Sequence, residues 1–509
     1  MKTRIACTLL ILALVATCGA GAASAQGIQI DWSPPTNLSN TPASSNHPAI
    51  AADAAGNVHV VWAEDVGGKS ILGIPQQGNV PGNWLVYTRW DGFTWSEPVD
   101  IIAVPGDSLA AHPVLAADSQ GFLHVVWTGV YTIYYSRALA SQAVSSRAWY
   151  TPIAIGSSAR TAWESAVAVD NQNTVHILYA DREVEPAVIH VSIPDCGRGE
   201  TTSTWLSLPL QSPDEAAFAR LSLKVDPKGR LHAAWGTVGA DGNGKGLYYA
   251  RSVDGGETWS KAFRLAWAEG PGVLAEWASV GIVGDSELHM IYVYPENDGR
   301  QERISLDGGE TWGEAHTIYP DLEGIAGVNV QVTDAAGNLH VLSNLRTHDQ
   351  VGGLIYWRWL GDEWSAWQWA NIEGESTGLG GHWTAAAVRL GNEIHALWNT
   401  NFSDQAGEVW HVSGVIPDVA AQQPVTLPTE ALPQATEQPD LPRPSPSAPT
   451  AQGQATLTPS SKEGSGGAEA AVDYRPPQVS DTASALLLSL VPALVLVLGV
   501  VVWHLVRKR

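Results

Sequence analysis

Cysteine is almost missing from this chain: there are three in 509 residues, and two of them, Cys7 and Cys18, stand within the first 25. Removal of that leader would leave Cys196 alone, which excludes an intrachain disulfide scaffold and a cysteine-rich zinc site. Basic residues are also scarce, 28 Lys and Arg against 51 Asp and Glu, for a formal charge of −23. With no basic stripe, such a chain is repelled by phosphate backbones, so nucleic acid is excluded as a partner. Charged residues make up 16% of the chain, below the roughly 25% of an average soluble domain, so Gly, Ser, Thr and Asn must supply much of the surface polarity. The middle of the chain has no helical periodicity. Trp is what abounds, at 23 copies against 5 Phe and 2 Met.

Both ends read as addresses. Residues 1–25 have the form of a secretory signal: Lys2 and Arg4, an apolar stretch from Leu9 to Val15, then Ala23-Ser24-Ala25 before Gln26. Lipidation at Cys18 is the alternative, although Thr17 is an atypical residue before it. Near the other end, Ala483 to Val502 is uncharged and mostly apolar and leads through Trp503 to the basic tail Arg507-Lys508-Arg509. Twenty helical residues at about 1.5 Å each cover the ~30 Å hydrocarbon core. The expectation is one transmembrane helix at 483–503 with residues 504–509 cytoplasmic and everything earlier outside the cell. No Leu-Pro-x-Thr-Gly precedes the apolar run, so a sortase-type wall anchor is not expected. Residues 417–480 hold twelve prolines and a single aromatic, Tyr474. A segment of this composition cannot bury enough apolar surface to offset its ordering entropy, and the reading is a disordered stalk. Without leader and tail the exported part carries 23 basic against 51 acidic residues.

Between the addresses one phrase recurs. His59-Val-Val-Trp62 returns at His124, His176, His232, His289, His340 and His395, with spacings of 65, 52, 56, 57, 51 and 55 residues. That period suits a four-stranded propeller blade and is too long for the common helical repeats. In blade 1 the expected strands are Pro48–Ala52, Val58–Ala63, Leu85–Trp90 and Thr94–Ile101. The seventh copy lacks an outer strand, and a matching phrase, Asp31-Trp32-Ser-Pro-Pro-Thr-Asn-Leu38, sits at the start. The fold expected for 26–416 is therefore all-β, a seven-bladed β-propeller whose residues 28–38 close the last blade and remove two sheet edges. The seven histidines occupy one position per blade. Zinc needs three or four ligands converging on one point, so they read as a repeated hydrogen-bonded sheet position. Asp241-Gly-Asn243-Gly-Lys245 places Lys where a calcium loop needs a ligand, so neither metal nor cofactor is expected.

Ser252-Val-Asp254-Gly-Gly256-Glu-Thr-Trp259 and Ser305-Leu-Asp307-Gly-Gly309-Glu-Thr-Trp312 both fit Ser-x-Asp-x-Gly-x-x-Trp. This is the Asp-box, and the chain resembles the sialidase-like (BNR repeat) propellers. The resemblance implies that Ser252, Asp254, Gly256, Trp259, Ser305, Asp307, Gly309 and Trp312 are structural. It also implies a channel-mouth site in which three arginines hold a substrate carboxylate beside a Tyr–Glu pair and an acidic Asp. The chain departs from that pattern. Ser45-Asn46-His47-Pro48 stands where the family's first arginine motif would fall, with Asn46 in place of Arg.

Twelve residues before each motif histidine, where the innermost strand begins, stand His47, His112, Glu164, Arg220, Trp277, Val328 and Trp383. One residue earlier stand Asn46, Ala111, Trp163, Ala219, Glu276, Gly327 and His382. Departures from an otherwise repetitive frame are where function is grafted. The expected ligand contacts are His47, His112, Trp163, Glu164, Arg220, Glu276, Trp277, His382 and Trp383, with Glu164, Glu276 and Arg220 the candidates for chemistry. Arg182 and Arg346 stand at second-strand exits. One mouth arginine cannot reproduce a bidentate triad. The reading is a displayed propeller that binds a glycan or protein outside the cell without turning it over. The alternatives are an exo-acting glycoside hydrolase of sialidase type, and a structural protein whose mouth is merely plugged.

Overall fold

The computed structural model describes residues 28–427 apart from 42, 66–82, 103–108, 131, 158–164, 182–186, 195–205, 211–217, 240–242, 271, 297–298, 321, 323, 348–351, 375–382 and 401–405. The expected leader, the Pro-rich run beyond 427, the apolar run 483–503 and the tail all lie outside the described residues. Among the described residues no helix is long and apolar enough to cross a membrane.

Seven four-stranded antiparallel sheets follow one another along the chain, making a seven-bladed β-propeller. Blade 1 comprises Ser44–Ala52, Val58–Asp65, Trp84–Trp90 and Val99–Ile102. The innermost strands of blades 2 to 7 are Ala111–Ala117, Ser165–Val169, Phe218–Val225, Glu276–Val283, Ile325–Thr333 and Thr384–Arg389. Two expected bounds in blade 1 shift. The inner strand starts four residues earlier, at Ser44, and the outer strand is reduced to Val99–Ile102, because only a single bridge joins Trp90 to Trp95 before Pro98.

The second strand of each blade carries the repeated phrase. In blades 1 and 2, Val58–Asp65 and Phe122–Thr128 are buried along their whole length. A strand covered on both faces loses the apolar–polar alternation, which is why each holds a continuous Val-Val-Trp run beside its histidine. The apolar core is correspondingly divided. Seven buried clusters each join two adjacent blades, the last joining blade 7 (Leu397, Val409) to blade 1 (Val60, Trp62).

Ring closure occurs as expected. Thr36 and Asn37 pair with His411 and Trp410 of blade 7, and Trp32 bridges to Gly414. The ladder is interrupted between them at Pro34-Pro35, which cannot donate. The chain does not leave the propeller at residue 416. Residues 416–427 run back across blades 7, 1 and 2: Gln422 donates to Leu390 O and Val425 to Ala54 O, both at 2.8 Å. Arg358 holds both oxygens of Asp418 at 2.9 Å, and Leu427 enters the core between blades 1 and 2.

The seven histidines form buried relays within their blades. His59 sits between Asp53 (3.1 Å) and the Tyr87 hydroxyl (2.7 Å), and His124, His232 and His340 repeat this with Asp118 and Tyr135, Asp226 and Tyr249, and Asp334 and Tyr356. His190 and His411 replace the tyrosine in blades 3 and 7, and Glu302 replaces it in blade 5. The carboxylate also caps its turn, as when Asp334 accepts from the backbone N–H groups of Ala336 and Asn338. Burial would raise the Asp226 and Asp334 carboxyls, but hydrogen bonds from the histidine and the turn more than offset it and hold both at about 2.

In five of the relays the third member is a ring that receives a Trp from the following blade. Trp149 packs edge-on against Tyr87, Trp259 against His190, Trp312 against Tyr249, Trp32 against Tyr356 and Trp95 against His411, with centroids 4.9–5.8 Å apart. Gly256 and Gly309 turn at φ of +88° and +82°, and a Cβ on either would strike His190 or Tyr249 of the preceding blade. In these turns Ser305 donates to Asp307 at 2.8 Å, and the Thr311 N–H donates to the same carboxylate at 2.9 Å. Each turn is thus a key cut for its neighbour's relay.

Candidate functional site: the channel mouth

The innermost strands of blades 1, 2, 4 and 5 share an irregularity with that of blade 6, which slips between Ala326 and Asn329. Pairing with the second strand slips between Asn46 and Ala49, Ala111 and Val114, Ala219 and Ser222, and Glu276 and Ser279. These are β-bulges, and in blades 1, 2, 4 and 5 the first bulged residue has left-handed backbone: His47 at φ 53°, His112 at 49°, Arg220 at 62° and Trp277 at 60°. Glycine takes this conformation cheaply, whereas other residues carry about 1–2 kcal/mol each. Four non-glycine residues therefore hold the same strained position, and all four were singled out by the twelve-residue spacing.

Their side chains converge. The imidazoles of His47 and His112 stack at 3.8 Å, and Trp383 of blade 7 stands edge-on to both at 4.7 and 5.3 Å. Trp277 meets Trp383 at 5.8 Å, and the Arg220 guanidinium lies over the Trp277 ring. His47 and His112 are only 6% and 7% exposed, while Arg220, Trp277 and Trp383 are half-buried. Burial, the neighbouring imidazole and Arg220 push His47 well below its ordinary value, and burial together with Arg220 takes His112 to about 3. Both rings are neutral at pH 7, so Arg220 is the cation of the rim. The Nδ1 of His47 and the Nε1 of Trp383 are buried with no hydrogen-bond partner among the described residues.

These five residues border a cavity of about 280 Å³ on the propeller axis, lined by the first residues of the inner strands. Val328 lines it from blade 6. Trp163, Glu164, His382 and Arg182 lie outside the described residues, as does the Arg346 side chain.

Glu276 is placed apart from the five mouth residues. It is not part of the lining; its carboxylate accepts the Gly244 N–H of blade 4 at 2.7 Å. Asn46 is likewise turned aside, accepting from Asn399 of blade 7 at 3.3 Å. In blades 1 and 5 the position before the bulge tethers its blade to the preceding one, and the next residue faces the axis. Alternation along a strand separates the two rows, which the spacing alone had merged.

The lining has a second tier that sequence reading missed. Ser165, Asn329 and Thr384 follow the mouth position in blades 3, 6 and 7, where blades 1 and 2 have Pro48 and Pro113. Lys224 and Gln331 lie deeper. For Ser165, Asn329 and Thr384 the available signal was polarity at a position that is Pro, Leu or Ala in the other four blades. Among the described residues no three His, Cys, Asp or Glu side chains are placed to hold a metal ion.

No family model matches this chain, and no curated protein matches it. Solved structures do. A protein of unknown function from Dyadobacter fermentans is 14% identical over 76% of this chain and 99% of its own, with a TM-score of 0.47. An ulvan lyase of a polysaccharide lyase family is 10% identical over 74% of this chain and 95% of its own, at 0.49. The NanB sialidase from Streptococcus pneumoniae, as a K499G mutant, is 14% identical over 80% of this chain and 73% of its own, at 0.42. Likenesses this distant transfer no site residue.

Proposed function

We propose that this protein is a cell-surface propeller that binds a glycan or protein ligand at its channel mouth without turning it over. The observation that carries the proposal is the shared left-handed bulge in blades 1, 2, 4 and 5. There a conformation cheap only for glycine is kept by two histidines, an arginine and a tryptophan whose side chains meet on the axis. Half-buried indoles offer apolar faces to a sugar ring or a peptide aromatic, while imidazole and guanidinium supply polar contacts. Against the hydrolase alternative stands the commitment of Glu276 to the Gly244 N–H. Arg220 is also the one arginine among the residues described as lining the cavity.

A glycan array probed with the secreted part of the chain, alongside fluorogenic glycosides, tests this reading. Retention of a glycan without release of fluorophore supports it, and turnover of any glycoside overturns it. Display is the second half of the proposal and rests on the apolar run 483–503 and the Arg507-Lys508-Arg509 tail. Protease added to intact cells should release a soluble propeller by cutting after Leu427. Full-length chain in a detergent-free soluble fraction would refute the anchor.

A further inference from the structure

The protein carries a strong negative charge, yet among the described residues no acidic side chain lines the channel cavity. Its charged residues are Arg220 at the rim and Lys224 deeper on the same strand. Four residues of strand separate them, about 10–13 Å. The Lys224 ammonium donates one hydrogen bond, at 3.3 Å, to the backbone carbonyl of Gln331, two blades away. Among the described residues Lys224 forms no ion pair, and burial pushes its ammonium below its ordinary value.

Between the two cations lies a ring of unused polar atoms. Ser165 and Asn329 are 3% exposed and Thr384 is 7% exposed. The hydroxyls of Ser165 and Thr384 and both amide atoms of Asn329 have no partner among the described residues, nor has Gln331 Oε1. Gln331 is held so that this oxygen stays free: its Nε2 donates to Ser279 O at 2.7 Å, and Gly281 has no side chain to fill the space the carboxamide occupies. Buried polar atoms without partners are costly unless a guest or water satisfies them. A desolvated ammonium has the same need for an anion.

Resting on the mouth reading above, the geometry points to a ring-borne oxyanion as the ligand: a hydroxylated ring engaging Ser165, Asn329 and Thr384, with a carboxylate or sulfate directed to Lys224. Arg220 adds attraction from the rim. A neutral sugar would satisfy the hydroxyl ring and leave the ammonium without a counter-charge.

Isothermal titration of the full-length chain with galacturonate, galactose and inorganic sulfate tests this without any substitution. Galacturonate should bind at least on the order of tenfold tighter than galactose, the usual scale for one charge-assisted hydrogen bond in a desolvated site. Lys224→Met should abolish that preference and Lys224→Arg should retain much of it, with thermal midpoints showing that each variant folds. Equal binding of the two sugars, both lost in a Trp277→Ala, Trp383→Ala double variant, overturns the anion and leaves the mouth reading standing. Failure of both sugars to bind overturns the ring-borne oxyanion and leaves a protein ligand at the mouth standing. Sulfate binding as tightly as galacturonate overturns the ring, and a preference that survives Lys224→Met overturns the role of Lys224.

Discussion

The two faces of this propeller obey opposite rules. On the turn face each blade repeats its neighbour: an acid meets a histidine, the histidine reaches a third-strand side chain, and in five blades that side chain is a tyrosine or histidine ring packed against the next blade's Trp, while in blade 5 it is Glu302, which accepts from Trp364 Nε1. At the mouth, blades 1, 2, 4, 5 and 7 present His47, His112, Arg220, Trp277 and Trp383, and the backbone beneath four of them is strained. Repetition serves interlocking, because every interface between blades must be sealed in the same way. Variation at one level of one face cannot serve that purpose, since neighbouring blades there have no common partner to satisfy. The difference separates residues that hold the ring together from residues that are held by it.

The largest expected effect comes from breaking the interlock at its seam. Deletion of residues 26–40 removes the Thr36–Asn37 pairing and the Trp32 contact with Tyr356, opening the ring between blades 6, 7 and 1. Cooperative melting by circular dichroism should be lost. A truncated chain that melts like the intact one would mean that closure does not hold the ring.

Next comes the same substitution made on each face. Trp312→Ala takes an indole off Tyr249 in the core between blades 4 and 5 and should cost about 3 kcal/mol in urea unfolding. Trp277→Ala at the mouth should cost about 1 kcal/mol or less and abolish ligand binding. Equal losses of stability would erase the distinction between the faces.

Acid should then discriminate among the relays. Burial holds His112 and His190 at about 3, and it holds His411 well below its ordinary value. The unfolded chain takes up these protons near pH 6.5 and the folded chain does not, so the unfolded state gains protons over the window from about 6.5 to about 3. Stability is full above that window and falls as the pH drops through it. His190→Tyr restores the tyrosine form of the relay found in blade 4 and should flatten the fall in thermal midpoint between pH 7 and pH 4. An unchanged slope would show that blade 3 contributes nothing to acid sensitivity.

What could be read beforehand divides along the same line. The blades, the closing strand and the His position were legible because each is stated several times. Trp149 was overlooked because no Asp-containing turn precedes it, although Trp149-Tyr-Thr-Pro152 repeats the spacing of Trp95-Ser-Glu-Pro98. The packed segment 416–427 was hidden by its proline-rich composition; Ile416, Val419 and Leu427 were its apolar signal. At the mouth the spacing found the right height on the axis and could not say which of two adjacent residues faced it. Bulges create that ambiguity, as Glu276, which accepts the Gly244 N–H, and its neighbour Trp277, which lines the cavity, illustrate. Lys224 and Gln331 gave no local sign at all, because their meaning lies in a contact 107 residues long.

The smallest expected effect is the most pointed. Arg220→Gly removes a side chain that is half-buried and stacked on Trp277, an interaction worth about 0.5–1 kcal/mol at a partly exposed site. It also relieves a left-handed backbone at φ 62°, a conformation that costs a non-glycine residue about 1–2 kcal/mol. The two effects oppose each other, so the net change should lie between zero and a gain of about 1 kcal/mol. On the turn face most left-handed positions, such as Gly56, Gly121, Gly229 and Gly337, are already glycine, Asn173 and Leu390 being the exceptions. If Arg220→Gly leaves the thermal midpoint unchanged or raises it while ligand binding falls, the arginine is kept for recognition against the preference of its own backbone. If it destabilises the ring by more than about 2 kcal/mol, a value typical of lost core contacts, Arg220 belongs with the interlock and the mouth is a plug.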